Sequence, residues 1–193
     1  MTPLRDITHA LIENDPHGGW LRAMFQQLEE VHWGALRAPG RILNGPAARE
    51  VALVDGPMRL PCVIETDTLL IALEDARSGG LPTGTPSDPK RHHVSRCIEA
   101  LRALARSRSA AEGLDTDPLF GVIVVGGPEF EEPHRTTILE GLPHIEREQA
   151  EDLYANYWGR ISPEAYEALA AAAPAPPASR PSPGPAVGPP RSP

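Results

Sequence analysis

The sequence predicts an α/β domain with the order helix, three meandering strands, helix, strand, terminal helices, around a mixed sheet. Three observations predict it. Residues 50–74 hold three short apolar runs separated by turn chemistry. Residues 90–108 carry apolar side chains at helical spacing. Leu119-Phe-Gly-Val-Ile-Val-Val125 is the short continuous apolar run of a strand buried on both faces. The chain has 193 residues, enough for one domain with one sizeable core.

Each element has its own signal. Residues 20–37 read as a helix, with Leu21, Met24, Phe25, Leu28, Val31 and Leu36 near an i, i+3/i+4, i+7 pattern that Pro39-Gly40 terminates. Glu50-Val-Ala-Leu-Val54 reads as the first strand, and Asp55-Gly56-Pro57 as its turn. Residues 58–64 and 69–74 are the next two strands, joined by the polar turn Glu65-Thr66-Asp67-Thr68. A proline-bearing loop runs from Gly79-Gly80 to Pro89. The helix that follows, to Arg108, buries Val94, Ile98, Leu101 and Ala105, with Arg91, Arg102 and Arg106 flanking that face and Arg96 and His92 further round. After the 119–125 strand, Gly126-Gly127-Pro128 is a stop. Residues 146–158 read as an amphipathic helix. A last helix starts with Ser162 as its N-cap and Pro163 at its first position.

Residues 172–193 are low-complexity and rich in proline and alanine, with nothing to bury. They are expected to form a disordered tail with polyproline II character, outside a single domain over 1–171 whose core spans about 20–126. Such a tail is also one route to a protein partner.

Composition bounds the function. A net charge of −8 argues against a protein that coats DNA by counterion release. Lys90 is the only lysine, so a catalytic lysine has one candidate. Cys62 and Cys97 lie in apolar patterns without metal-ligand or disulfide spacing and are expected to be buried free thiols. No segment approaches the roughly 20 apolar residues of a membrane span, and the N-terminus lacks a long apolar run with a cleavage site. A cytoplasmic protein with no membrane partner is expected.

The stretch Leu60-Pro-Cys-Val-Ile-Glu-Thr-Asp-Thr-Leu-Leu-Ile-Ala-Leu-Glu74-Asp-Ala-Arg77 holds the candidate chemistry. Its second strand ends in an acid, and acids on adjacent strand ends can converge on one divalent cation. The stretch resembles the central hairpin of the PD-(D/E)xK nuclease superfamily. Together with the α-β-β-β-α-β order, the resemblance implies a restriction-endonuclease-like fold and metal-dependent phosphodiester hydrolysis with Mg2+ or Mn2+. Glu74 matches the family's glutamate. Ala76 stands at the lysine position, and Pro61 or Cys62 at the first-acid position.

The resemblance therefore implies a weak or inactive relative. Its remaining catalytic candidates are Glu74, Lys90 as a migrated lysine, and Arg77 as an electrostatic stabiliser that stays protonated. Its metal candidates are Glu74, Asp75 and the helical acid Glu30. Asp75 would point to the opposite face of a regular strand. Asp55, Glu65 and Asp67 are turn acids expected to serve local hydrogen bonds. His92 and His93 are adjacent on a helix, about 100° apart, and so chelate one ion poorly. The retained scaffold would bind nucleic acid through Arg91, Arg96, Arg102 and Arg106, or another protein. The alternative is a small accessory protein with no nucleic-acid role.

Overall fold

The computed structural model describes residues 1–28, 31, 40–82, 84–85 and 88–172. Its elements in chain order are α1 (Leu4–Asn14), α2 (Gly19–Phe25), β1 (Ile42–Leu53), β2 (Gly56–Thr66), β3 (Leu69–Ala76), α3 (His93–Glu112), β4 (Leu119–Gly126), α4 (Arg135–Glu140), α5 (Arg147–Tyr154), β5 (Tyr157–Ile161) and α6 (Pro163–Ala172). The five strands form one open sheet in the order β1-β2-β3-β4-β5. The first three pair antiparallel through tight turns. The pairs β3–β4 and β4–β5 are parallel, because α3 and then α4–α5 carry the chain back across the sheet before each new strand begins.

Strand alternation sorts the core into two layers. On one face, α1, α2 and α6 cover Cys62, Ile64, Leu69, Ile71, Leu73, Ile123 and Val125. On the other, α3, α4 and α5 cover Leu60, Val63, Leu70, Ala72, Ala76, Val122 and Val124. Val94, Ile98, Leu101 and Ala105 of α3 are fully buried against the second face. Burying side chains such as Val94, Ile98 or Leu101 stabilises the layer by roughly 1.5–3 kcal/mol each. Glu74 shares its parity with Leu70, Ala72 and Ala76, so it too points beneath α3.

Several boundaries differ from the expectation. The first helix ends at Phe25 instead of continuing to 37; Leu28 and Val31 are still buried, and the rest of that segment lies outside the described residues. α1 precedes it, burying Leu4, Ile7, Thr8 and Leu11 at i, i+3, i+4, i+7. β1 begins at Ile42, not at residue 50. Its first half carries Asn44, Gly45 and Pro46, poor strand formers that an edge strand with three register shifts accommodates. The long helix runs on to Glu112 and stops at Gly113, whose φ of 65° lies in the left-handed region suited to a helix C-terminus.

The expected helix over 146–158 is split. α5 ends at Tyr154, and Tyr157 and Trp158 belong to β5. Tyr157 packs in the α3 layer and Trp158 in the α1 layer, the opposite-face placement of strand neighbours. Trp158 is fully buried, lies edge-on to Phe25 at 5.5 Å between ring centroids, and covers Gly121 of β4. Ser162 caps α6 as expected, its Oγ accepting the Ala165 N–H at 3.1 Å. Among the described residues, no helix is long and apolar enough to cross a membrane. The segment expected to form the tail lies outside the described residues beyond Ala172.

Candidate functional site

β3 delivers Glu74 to the sheet's α3 face, and α3 starts with His93 directly above it. His92 caps α3, its Nδ1 accepting the Val94 N–H at 3.2 Å, and this cap sets where the first turn begins. His93 and Cys97 then fall four residues apart, on one face of the helix. His93 Nε2 stands 2.9 Å from Glu74 Oε2, and Cys97 Sγ donates to Glu74 Oε1 at 3.4 Å. One ligand atom from each of the three residues lies within 4.8 Å of the others. Glu74 is 3% exposed, Cys97 is fully buried, and the His93 side chain is 16% exposed.

The electrostatics follow from that burial. Loss of solvent pushes the Cys97 thiol well above its ordinary range, and the Glu74 charge and hydrogen bond push in the same direction. The thiol is therefore a neutral donor to the carboxylate. Among the described residues, no lysine or arginine pairs with Glu74; its ion-pair partner is His93.

The other candidates are placed as follows. Asp75 lies on the opposite face, as alternation requires, and accepts Arg77 Nε at 2.9 Å and Nη2 at 2.7 Å. That guanidinium, nearly buried, also donates to the Thr2 carbonyl at 2.9 Å and lies 4.0 Å from Glu167. Arg77 thus ties the end of β3 to the start of α1 and to α6, in the layer away from Glu74. Lys90 is exposed in the turn before α3, its backbone N–H held by Asp88 at 2.9 Å. Glu30 lies outside the described residues. Cys62 is buried in the α1 layer with its thiol toward Thr8, and burial pushes it up to about 11. Strand alternation separates Cys62 from the Glu74 face: Val63 pairs with Ala72 on that face, so its neighbour Cys62 points to the other, while the irregular pairing around Pro61, where Leu60 and Val63 oppose Arg49 and Ala47, returns Leu60 to the α3 layer.

The arginines divide into two pairs. Arg91 is 2% exposed and holds Asp55 at 3.0 Å, together with Glu99 and the Gly141 carbonyl. Glu99 in turn meets His144. Arg96 pairs with Asp55 at 3.1 Å and donates to the Pro57 carbonyl at 3.1 Å. Both arginines therefore clamp the β1–β2 turn to α3, and the expected surface role for Arg91 meets a buried guanidinium. Arg102 is half-buried and Arg106 exposed, beside a surface depression lined in part by Leu53, Val54 and Ile145. The turn acids reach beyond their own turns, contrary to the expected local role: Asp55 takes Arg91 and Arg96, Glu65 accepts Arg49 Nε at 3.1 Å and Asn44 at 2.9 Å from β1, and Asp67 accepts the Arg41 N–H at 2.9 Å.

Glu74 stands out in the sequence as a metal candidate, whereas His93 and Cys97 do not. The available signal was their i, i+4 spacing at the start of the helix that follows an acid-ended strand. The adjacent His92 and the apolar pattern around Cys97 mask it.

Searches against protein-family models, curated proteins and solved structures found no match for the chain. The fold and site define its class by themselves: an α/β protein whose described residues form a five-stranded mixed open sheet and six helices, with a buried carboxylate–imidazole–thiol group between sheet and helix. This donor set does not fit the Mg2+ of the nuclease resemblance. Mg2+ demands an octahedron of oxygens, and here one carboxylate is joined by a nitrogen and a sulfur.

Proposed function

We propose that this chain is a non-hydrolytic binding or accessory protein built on a scaffold that resembles the restriction-endonuclease-like fold. One observation carries the reading: the single carboxylate matching the nuclease motif, Glu74, is 3% exposed beneath α3 and engaged by His93 and Cys97. A phosphodiester backbone has no access to it there. The surroundings agree. Ala76 offers no ammonium, Lys90 is out in the preceding turn, and Asp75 is held by Arg77 on the other face. A protein partner is favoured over nucleic acid, because Arg91 and Arg96 are committed to Asp55 and the chain carries a net charge of −8.

The test is incubation of the full chain and of Glu74→Ala with plasmid and single-stranded DNA and RNA, with Mg2+ or Mn2+. No cleavage by either protein is expected. Robust cleavage by the wild type that Glu74→Ala abolishes would overturn the reading.

A further inference from the structure

We infer that Glu74, His93 and Cys97 form a site for one zinc-class transition-metal ion that pins the first turn of α3 to β3. The inference concerns the site described above, and it stands or falls separately from the absence of nuclease activity.

Three observations support it. The donors are chemically matched to such an ion. Zinc takes carboxylate oxygen and imidazole nitrogen at about 2.0–2.2 Å and thiolate sulfur at about 2.3 Å, with three protein ligands leaving a fourth position for water. Bonds of that length at tetrahedral angles put ligand atoms roughly 3.3–3.6 Å apart. Here His93 Nε2 lies 2.9 Å from Glu74 Oε2 and Cys97 Sγ 3.4 Å from Glu74 Oε1, the two oxygens of one carboxylate, and one atom from each of the three residues lies within 4.8 Å of the others. Small side-chain adjustments admit the ion.

The second observation is charge. Glu74 is a carboxylate at 3% exposure with no arginine or lysine partner among the described residues. Elsewhere along α3, the buried Glu99 and the half-buried Asp55 are held by a permanent cation, Arg91. A buried carboxylate needs such compensation, and a divalent ion supplies it at Glu74.

The third is access and placement. The site meets solvent at the His93 edge, whose side chain is 16% exposed, while Glu74 and Cys97 are buried out of reach of a polymeric substrate. His93 and Cys97 share one helix face, and Glu74 comes from the strand beneath, so two rigid elements carry all three donors. On binding, the Cys97 thiol proton leaves to solvent as the S–metal bond forms, and the His93 proton resides on Nδ1 while Nε2 ligates. No electron is transferred.

The experiment uses the full chain, stripped with chelator and titrated with Co2+ and then Zn2+. Wild type should take up one ion per chain. The cobalt form should show thiolate-to-metal charge-transfer absorption and the strong visible bands of a tetrahedral centre, both bleached by Zn2+. Zinc should raise the melting temperature by several degrees, and chelator should reverse the rise. Cys97→Ser should lose the charge-transfer band and weaken zinc binding at least tenfold, whereas Cys62→Ser should retain both. Mg2+ should not compete. If wild type shows no thiolate band, the inference fails whatever the variants do. It fails equally if the band survives in Cys97→Ser and vanishes in Cys62→Ser. Metal uptake without nucleic-acid cleavage supports both readings. Cleavage with Mg2+ sinks the non-hydrolytic reading alone, and absence of the cobalt band sinks the metal site alone.

Discussion

Arg91 reaches back from the foot of α3 to Asp55 in the β1–β2 turn, Nε to Oδ2 at 3.0 Å, and the two side chains are 2% and 10% exposed. This pair joins the edge of the meander to the crossover helix, two elements far apart in sequence. Removing the Asp55 charge leaves Arg91 with Glu99 and the Gly141 carbonyl but takes away one charge-assisted hydrogen-bond partner, which costs about 1.5–3 kcal/mol. Asp55→Asn should therefore destabilise the domain by that order at neutral pH. Burial alone would raise the Asp55 pKa, but the hydrogen bond and charge of Arg91, with help from Arg96, outweigh it and hold the carboxyl below its ordinary value. A depressed folded-state pKa contributes stability that is complete above the unfolded value near about pH 4 and is lost as pH falls through the folded value. The gap between wild type and Asp55→Asn, measured as urea midpoints, should be widest at neutral pH and close in acid. A gap independent of pH would show that the carboxylate charge is not what holds the turn.

Gly121 lies under the Trp158 indole. A Cβ built there would sit 2.2 Å from two ring carbons, so the ring or the β4 backbone must move. Gly121→Ala should cost about 1–3 kcal/mol by overpacking, despite adding a single methyl group to a strand. The check is a lowered urea midpoint together with a changed near-ultraviolet circular dichroism spectrum, because the indole is the element displaced. Unchanged stability would mean that β5 does not close over β4 in this register.

Ser162 Oγ accepts the Ala165 N–H at 3.1 Å and satisfies one of the first-turn donors of α6. Ser162→Ala should cost about 0.5–2 kcal/mol, and Ser162→Asp should recover most of it. Thermal unfolding of the three proteins separates a capping role from simple tolerance at the position.

The meander and the β4 strand were legible because their apolar runs, bounded by Asp55-Gly56 and Glu65 to Thr68, report local pairing directly. β5 was not legible. Tyr157 and Trp158 continue a helical spacing from Leu153 and Tyr154, and only the space above Gly121, a contact distant in sequence, draws them into a strand. The start of β1 was hidden for a related reason: an edge strand tolerates Gly45 and Pro46 where a central strand would not. At the candidate site, Glu74 was visible as an acid ending an apolar strand. Its partners were invisible as partners, because the depth at which α3 lies on the sheet decides that His93 and Cys97 meet it. The roles of Arg77 and Arg91 depend likewise on tertiary ion pairs that spacing does not report.

The nuclease resemblance suggests a repair: Cys62→Asp for the first acid and Ala76→Lys for the lysine. The structure argues that this repair fails. Cys62 is 1% exposed and packs with the α1 layer, its Sγ 3.7 Å from Thr8 Oγ1, while Glu74 points into the α3 layer on the other side of the sheet. An aspartate at 62 would be a buried carboxylate facing Thr8, separated from Glu74 by the sheet itself. Such a charge costs on the order of 3 kcal/mol or is protonated instead. By the usual scaling, that lowers the melting temperature of a domain this size by roughly 6–12 °C. Ala76 is 1% exposed on the Glu74 face, so a lysine there is crowded but has an acid on its own side of the strand. Ala76→Lys alone should therefore destabilise less than Cys62→Asp alone, with Cys62→Ser isolating the loss of the thiol. The double variant should gain neither Mg2+ affinity nor cleavage of plasmid DNA. Mg2+-dependent cleavage by the double variant that a further Glu74→Ala removes would place residues 62 and 74 on one side of the sheet and refute the pairing of Val63 with Ala72.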